Sequence, residues 1–225
     1  MTTDFAEVND RTLRPLPLDF YERDPHDLAC ALLGRDLVRL TEDGTRVSGR
    51  ILEVEVYGFD DDPASHANTG IPTDRTAPMF GDPGTAYVYQ IYGMYHCLNV
   101  VAPAHIRPSA LLIRALHPLE GLEKMAVSRG LSERFDDTMP LKVRKNLLSG
   151  PGKICQAMGI DCAFNQRPFD RGQLLLTEGV PVTQVDDLSI ASGTRIGLNP
   201  KTVGASHEWP WRYGIEGSKF LSRPL

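Results

Sequence analysis

The run from Val47 to Tyr57, Val-Ser-Gly-Arg-Ile-Leu-Glu-Val-Glu-Val-Tyr, limits the possible folds more than any other segment of this chain. Aliphatic residues recur at every second position, a period that fits a pleated strand and not a helix. Strict alternation puts Leu52, Val54 and Val56 on one face and Ile51, Glu53, Glu55 and Tyr57 on the other. Two carboxylates placed this way lie roughly 7 Å apart. Among Ile, Leu, Val and Tyr they must be paired, hydrated or used, because unpaired burial of a carboxylate is costly. A solvent-facing strand face would satisfy them equally well, and the local pattern does not separate the two cases.

Around this strand the chain is expected to form an α+β fold. Its parts are a mixed, mostly antiparallel curved sheet, flanking helices and a protruding aromatic β-hairpin. Residues 1–18 read as a loose polar lead-in and residues 19–225 as a single domain. Asp24 and Pro25 open a helix with an apolar stripe at Leu28, Ala29, Ala31 and Leu32, and Gly34 ends it. Strands follow at 36–40 and 47–57 across the Glu42-Asp43-Gly44 turn. A long loop over 58–84 is rich in Asp, Pro, Gly and Thr, and loops of that length are often functional. Residues 86–92 and 94–101 form the hairpin about Gly93. A strand is expected at 111–116, a helix at 119–128, and a polar stretch around Arg144 and Lys145. A short helix ends near Gly159, and strands lie at 174–177 and 182–191. The tail from 200 reads as irregular.

The net charge of −5 does not suggest a nucleic-acid protein, but its distribution is uneven. Residues 1–62 carry seven Arg and no Lys against fifteen acidic residues, or −8; the remainder carries +3. A local positive face is therefore possible. The polar start suggests no secretory signal, and no run reaches the ~20 apolar residues of a membrane span. A cytoplasmic, nucleoid-associated location is the expectation, with no membrane partner. Cys30, Cys97, Cys155 and Cys162 lack the close pairing of zinc sites and read as four buried thiols. No metal or organic cofactor is indicated.

Arg114 interrupts the apolar run from Ala110 to Leu116. A buried guanidinium there needs an acidic partner, and Glu53 or Glu55 is the natural one; an edge-strand Arg in water is the plain alternative. Tyr87, Tyr89, Tyr92 and Tyr95 crowd one hairpin. Strand tyrosines commonly pack in cores, yet four beside a glycine turn suit a stacking platform with a protruding tip. Alternation puts Tyr89 with Tyr87, and Tyr92 opposite them. His66 is a lone loop histidine. Taken alone, these residues would also serve a base-stacking nucleic-acid-binding module without catalysis. A sugar glycoside hydrolase built on Glu53 and Glu55 is a third possibility, although two carboxylates on one strand face flank a scissile bond poorly.

The segments GRILEVEVYGFDDDPASH (49–66), DRTAPMF (74–80), GTAYVYQIYGMYHCLNV (84–100), LLIRALHPLEGLE (111–123) and SGPGKICQAMGI (149–160) lie in order along the chain. With GTRIGL (193–198) and PWRYGIEGSKFLSR (210–223), they resemble the alkyladenine (3-methyladenine) DNA glycosylase family of mammalian type, here as a bacterial member. The resemblance implies a monofunctional, monomeric base-excision-repair enzyme without a lyase step. Such an enzyme flips alkylated purines out of double-stranded DNA and hydrolyses the N-glycosidic bond. It implies Glu55 as the base that activates water and Arg114 as its partner. Tyr57, His66 and Tyr89 would sandwich the extruded base, and Asn99 would gate the pocket against guanine. Tyr92 would fill the gap left in the stack, Met94 and Tyr95 would pack on the duplex, and Arg75 and Lys153 would contact the backbone. The implied substrate is 3-methyladenine; 7-methylguanine, hypoxanthine and ethenoadenine would extend the range.

Overall fold

The twelve-residue strand Arg46–Tyr57 (β2) is buried along its whole interior and organises the sheet. The computed structural model describes residues 13–58, 61–103, 108–179 and 189–225. The other strands are Asp36–Leu40 (β1), Ala86–Ile91 (β3), Tyr95–Ala102 (β4), Ser109–Glu120 (β5), Leu174–Thr177 (β6), Ile190–Gly193 (β7) and Arg212–Ile215 (β8). Their order is β3-β4-β5-β2-β1-β6, and β8 pairs with both β2 and β7. Every pairing among these strands is antiparallel. One edge of β2 is taken by β5. The other is shared: β1 pairs with residues 46–50 and β8 with residues 53–55.

Strict alternation fails at one informative place. The β2–β5 register passes from Ile51↔Leu116 to Glu53↔Ala115 and then to Val54↔Ile113. Leu52 is thus an extra residue in β2 and Arg114 an extra residue in β5. Such bulges re-aim side chains. Here they bring Ile51 into the core with Leu52, Val54 and Val56, away from the face to which alternation assigned it. The carbonyl of Arg114 accepts a hydrogen bond from Gly150 N–H at 2.8 Å, which ties the start of a helix to the bulge.

The helices are Pro25–Leu32 (α1), Leu122–Ser128 (α2), Leu141–Leu148 (α3), Pro151–Met158 (α4) and Pro200–Val203 (α5). Asp24 caps α1 by accepting from His26 N–H at 2.9 Å. Several boundaries differ from the sequence expectation. β5 runs on through Pro118 to Glu120, because Gly49 and Ser48 pair with it, so α2 begins only at Leu122. The polar stretch around Arg144 is helical, anchored by buried Leu147 and Leu148. The tail contains β8 and α5. Of the strand expected at 182–191, residues 182–188 lie outside the described residues. So do residues 1–12 of the expected lead-in. From Pro15 the chain is no loose lead-in: it bridges to Thr177, and Leu16 is buried. All four cysteines are free, but only Cys97 and Cys155 are buried; Cys30 is half-buried and Cys162 exposed.

A buried ion pair locks the lower half of β2. Arg50 Nε donates to Asp36 Oδ1 at 2.8 Å, and both side chains are almost wholly enclosed. Removing one partner of such a pair typically costs ~3–5 kcal/mol, because the other charge is stranded. At the upper end Gly58 follows Tyr57 with φ +101, and a Cβ there would lie 2.2 Å from the carbonyl oxygen of Pro108. Gly58→Ala is expected to cost about 1–3 kcal/mol from the backbone angle alone, with the clash adding more. Urea unfolding measures this; an unchanged midpoint would mean that the end of β2 accommodates a side chain freely.

Candidate active site

Glu53, Glu55 and Tyr57 share one face of β2, and both carboxylates are 0% exposed. Arg114, displaced by its bulge, turns towards them and is 7% exposed. Its Nη1 donates to Glu55 Oε2 at 3.0 Å. Its Nε lies 3.5 Å from Glu53 Oε1 without a hydrogen bond to it. Tyr57 O–H donates to Glu55 Oε2 at 2.8 Å, and the backbone N–H of Ile196 donates to Oε1 at 2.7 Å. Burial raises the Glu55 carboxyl above the usual carboxylate range. Arg114, the Ile196 N–H and Tyr57 oppose that shift, and Glu53 adds to it.

A cavity of about 270 Å³ opens beside this carboxylate. Tyr57, Arg114 and Ile196, the three groups bonded to Glu55, all line it. His66, Met79, Tyr87, Tyr89, Tyr92, Asn99 and Leu112 supply much of the remaining wall. Depressions of about 490 and 550 Å³ lie elsewhere and are larger, but they gather neither a buried carboxylate nor an aromatic cluster. Chemistry, not volume, therefore distinguishes the site.

The aromatic wall is ordered by hydrogen bonds. The Tyr87 and Tyr89 rings lie 5.2 Å apart with a 35° tilt. His66 stands edge-on to Tyr89 at 4.7 Å. Its Nδ1 is 2.9 Å from Tyr87 O–H, and Arg75 Nη2 approaches its Nε2 at 3.2 Å. Since guanidinium can only donate, Nε2 accepts and the proton resides on Nδ1. Burial first, and then Arg75, lower the His66 pKa to about 4. Asn99 Nδ2 donates to the Tyr87 carbonyl at 2.9 Å.

β3 and β4 pair from Ala86↔Val100 to Ile91↔Tyr95 and turn through Tyr92, Gly93 and Met94. Tyr92 and Gly93 have φ +50 and +70, as a type I′ turn requires. For a bulky residue such as Tyr92 this angle is strained. Tyr92 is 87% exposed, and Met94 and Tyr95 are exposed beside it. Tyr92 also borders the cavity, so it does not stand opposite Tyr87 and Tyr89 as alternation suggested. Two other residues singled out from the sequence lie in different settings. Arg75 packs over the Tyr89 ring at 5.1 Å, and Lys153 in the first turn of α4 donates to Asn146 Oδ1 at 2.6 Å.

Several members of the constellation escaped the sequence analysis. Asp62 and Arg195 form a fully buried bidentate pair at 2.6 and 2.8 Å. Arg195 also donates to the Val56 carbonyl at 3.0 Å and lies over the Tyr57 ring at 4.8 Å. Arg212 and Ser222 bind Glu53. Arg195 is the one charged residue of GTRIGL (193–198) and Arg212 the one of PWRYGI (210–215), so arginines breaking up these short runs were the available signal. Among the described residues no group of three or more His, Cys, Asp or Glu side chains could hold a metal ion. No described helix is long and apolar enough to cross a membrane.

The family model described as Methylpurine-DNA glycosylase matches residues 19–219. A protein of Rhizobium johnstonii is 44% identical over 206 residues, covering 92% of this chain and 88% of its own. One from Bacillus cereus is 42% identical and one from Bacillus cytotoxicus 43%, each over 92% of this chain and 98% of its own. All three carry the name "Putative 3-methyladenine DNA glycosylase".

At neutral pH His66 is expected to be uncharged, titrating near about 4 in an NMR pH series of its imidazole protons. A midpoint near the ordinary ~6.5 would mean that burial and Arg75 do not act on the ring.

Proposed function

Since the chain belongs to the methylpurine-DNA glycosylase family, we propose that it excises alkylated purines from double-stranded DNA by direct attack of water. The observation that carries this mechanism is the buried Glu55 carboxylate, tied to Arg114, Tyr57 and Ile196 behind an aromatic cavity. A carboxylate accepts about four hydrogen bonds. Three are accounted for, and the remaining acceptor position on Oε1 suits the O–H of a water molecule. As that water's oxygen attacks the sugar C1′, its proton passes to Glu55. The N-glycosidic electron pair leaves with the purine. A 3-methyladenine is cationic in DNA and departs neutral, so the leaving group needs no added proton. Glu55 also opposes the positive charge that develops on the sugar.

The cavity walls fit the same task. Tyr89, His66 and Tyr57 present ring faces and edges to a flat guest, and tyrosine faces favour a cationic ring. A neutral His66 adds no repulsion to such a guest. Asn99 on the cavity wall is the candidate filter against guanine. Tyr92 at the exposed tip is the candidate wedge that replaces the extruded base, with Met94 and Tyr95 against the duplex. Arg75 and Lys153 would have to leave His66 and Asn146 to reach phosphate oxygens. Because water is the nucleophile, the product is an abasic site in an intact strand. Monomeric action in the cytoplasm, at the nucleoid, completes the proposal.

A glycoside hydrolase using both carboxylates is disfavoured, since Arg212 and Ser222 occupy both oxygens of Glu53. A purely binding role leaves the desolvation of Glu55 without a purpose.

Glu55→Gln is expected to lower release of free 3-methyladenine from methylated duplex by about 10² to 10⁴, with lesion binding kept. Near-normal turnover by that variant would exclude Glu55 as the base. Tyr92→Ala is expected to reduce excision from duplex more than from single strands, because only a duplex stack must be opened; equal losses would remove the wedge role.

A further inference from the structure

Glu53 is as deeply buried as Glu55 and stands two residues from it on the same face, yet the hydrolysis described above does not use it. Its own partners are unusually complete. Ser222 donates from its backbone N–H to Oε2 at 2.6 Å and from its hydroxyl to Oε1 at 2.8 Å. Arg212 Nη1 donates to Oε1 at 3.1 Å. Arg212 is itself held on every nitrogen: Nε by the Thr194 carbonyl at 2.7 Å, Nη1 also by the Arg223 carbonyl and Nη2 by that of Pro224. Two carboxylates and two guanidiniums therefore form a compact group, in which Arg114 hydrogen-bonds Glu55 and only borders Glu53.

We propose that Glu53 is a positioning residue for the reaction at Glu55: Arg212 and Ser222 satisfy it, and this leaves the Arg114 guanidinium to Glu55 and fixes the charge state of the base. Low-dielectric surroundings make the arrangement strongly coupled. If Glu53 loses a donor, it competes for Arg114. If Glu53 loses its charge, both cations act on Glu55 alone. Arg212 also reaches the loop that supplies the Ile196 N–H, through the Thr194 carbonyl two residues earlier. The charged and titratable groups facing Glu55 are Arg114 from β5, Arg212 paired opposite it on β8, Tyr57 and Glu53 from β2 and Cys97 from β4. Of these, Glu53 is the like charge.

The assignment rests on Glu55 as the base, which must be ionised to act, so activity falls as pH drops through its pKa. The test is the pH profile of single-turnover base release from a methylated duplex by the full chain. Glu53→Gln is expected to move the acid limb down by about one unit, since a neighbouring like charge is gone. The plateau should fall by roughly tenfold or less, as a less basic carboxylate is a weaker proton acceptor. Ser222→Ala is expected to move the limb up by about half a unit, because Glu53 then draws on Arg114. Opposite shifts are a signature that simple loosening of the fold does not produce. Equal losses at every pH with both limbs unmoved would overturn the assignment while leaving the glycosylase mechanism standing. Should Glu53→Gln fail to fold, the Ser222→Ala limb decides alone. Absence of base release by the unaltered protein would remove the mechanism and this assignment together.

Discussion

Two carboxylates without solvent access, side by side on β2, set the terms for the upper half of this molecule. Burial of that much like charge is tolerable only with matched cations, and Arg114 and Arg212 supply them from β5 and β8. Each cation must arrive at the right height. The paired bulges bring Arg114 into line, and the sharing of one β2 edge between β1 and β8 brings Arg212. The sheet topology is thus bound to the electrostatics of the site. A regular, uninterrupted β2–β5 ladder would have set Arg114 directly opposite Glu53 on that face, in place of Ala115.

The lower half of β2 solves the same problem more simply. Arg50 and Asp36 pair across adjacent strands and line none of the three cavities described above. The contrast separates a buried ion pair enclosed within two strands from one set beside a cavity. At Arg50 two guanidinium nitrogens meet the two carboxylate oxygens of Asp36. At Glu55 the cation shares a cavity wall with a tyrosine and a backbone amide, and the carboxylate stays raised in pKa by its surroundings.

Much of this could be read from the chain itself. Period-two patterning located β2 and its carboxylates, and the charge inside an apolar run identified Arg114. The tyrosine density marked β3 and β4. Most of what escaped notice depends on partners remote in sequence. Arg195 meets Asp62 from 133 positions away, and Ser222 meets Glu53 from 169. Compensating bulges leave no local trace, since each strand still looks continuous. The helix α3 was missed because its lysines and arginine outweigh the two leucines that anchor it. The end of β5 was read as helix because its pairing with Ser48 and Gly49, a tertiary matter, overrides local preference.

The strained backbone at Tyr92 has a kinetic implication. A side chain held outward by a tight turn needs no reorganisation before it meets a partner, so the entropy of arranging it is spent during folding and not at each encounter. Under the wedge role proposed above, a tip whose backbone is already set by its turn has less to rearrange at each encounter, which shortens unproductive visits.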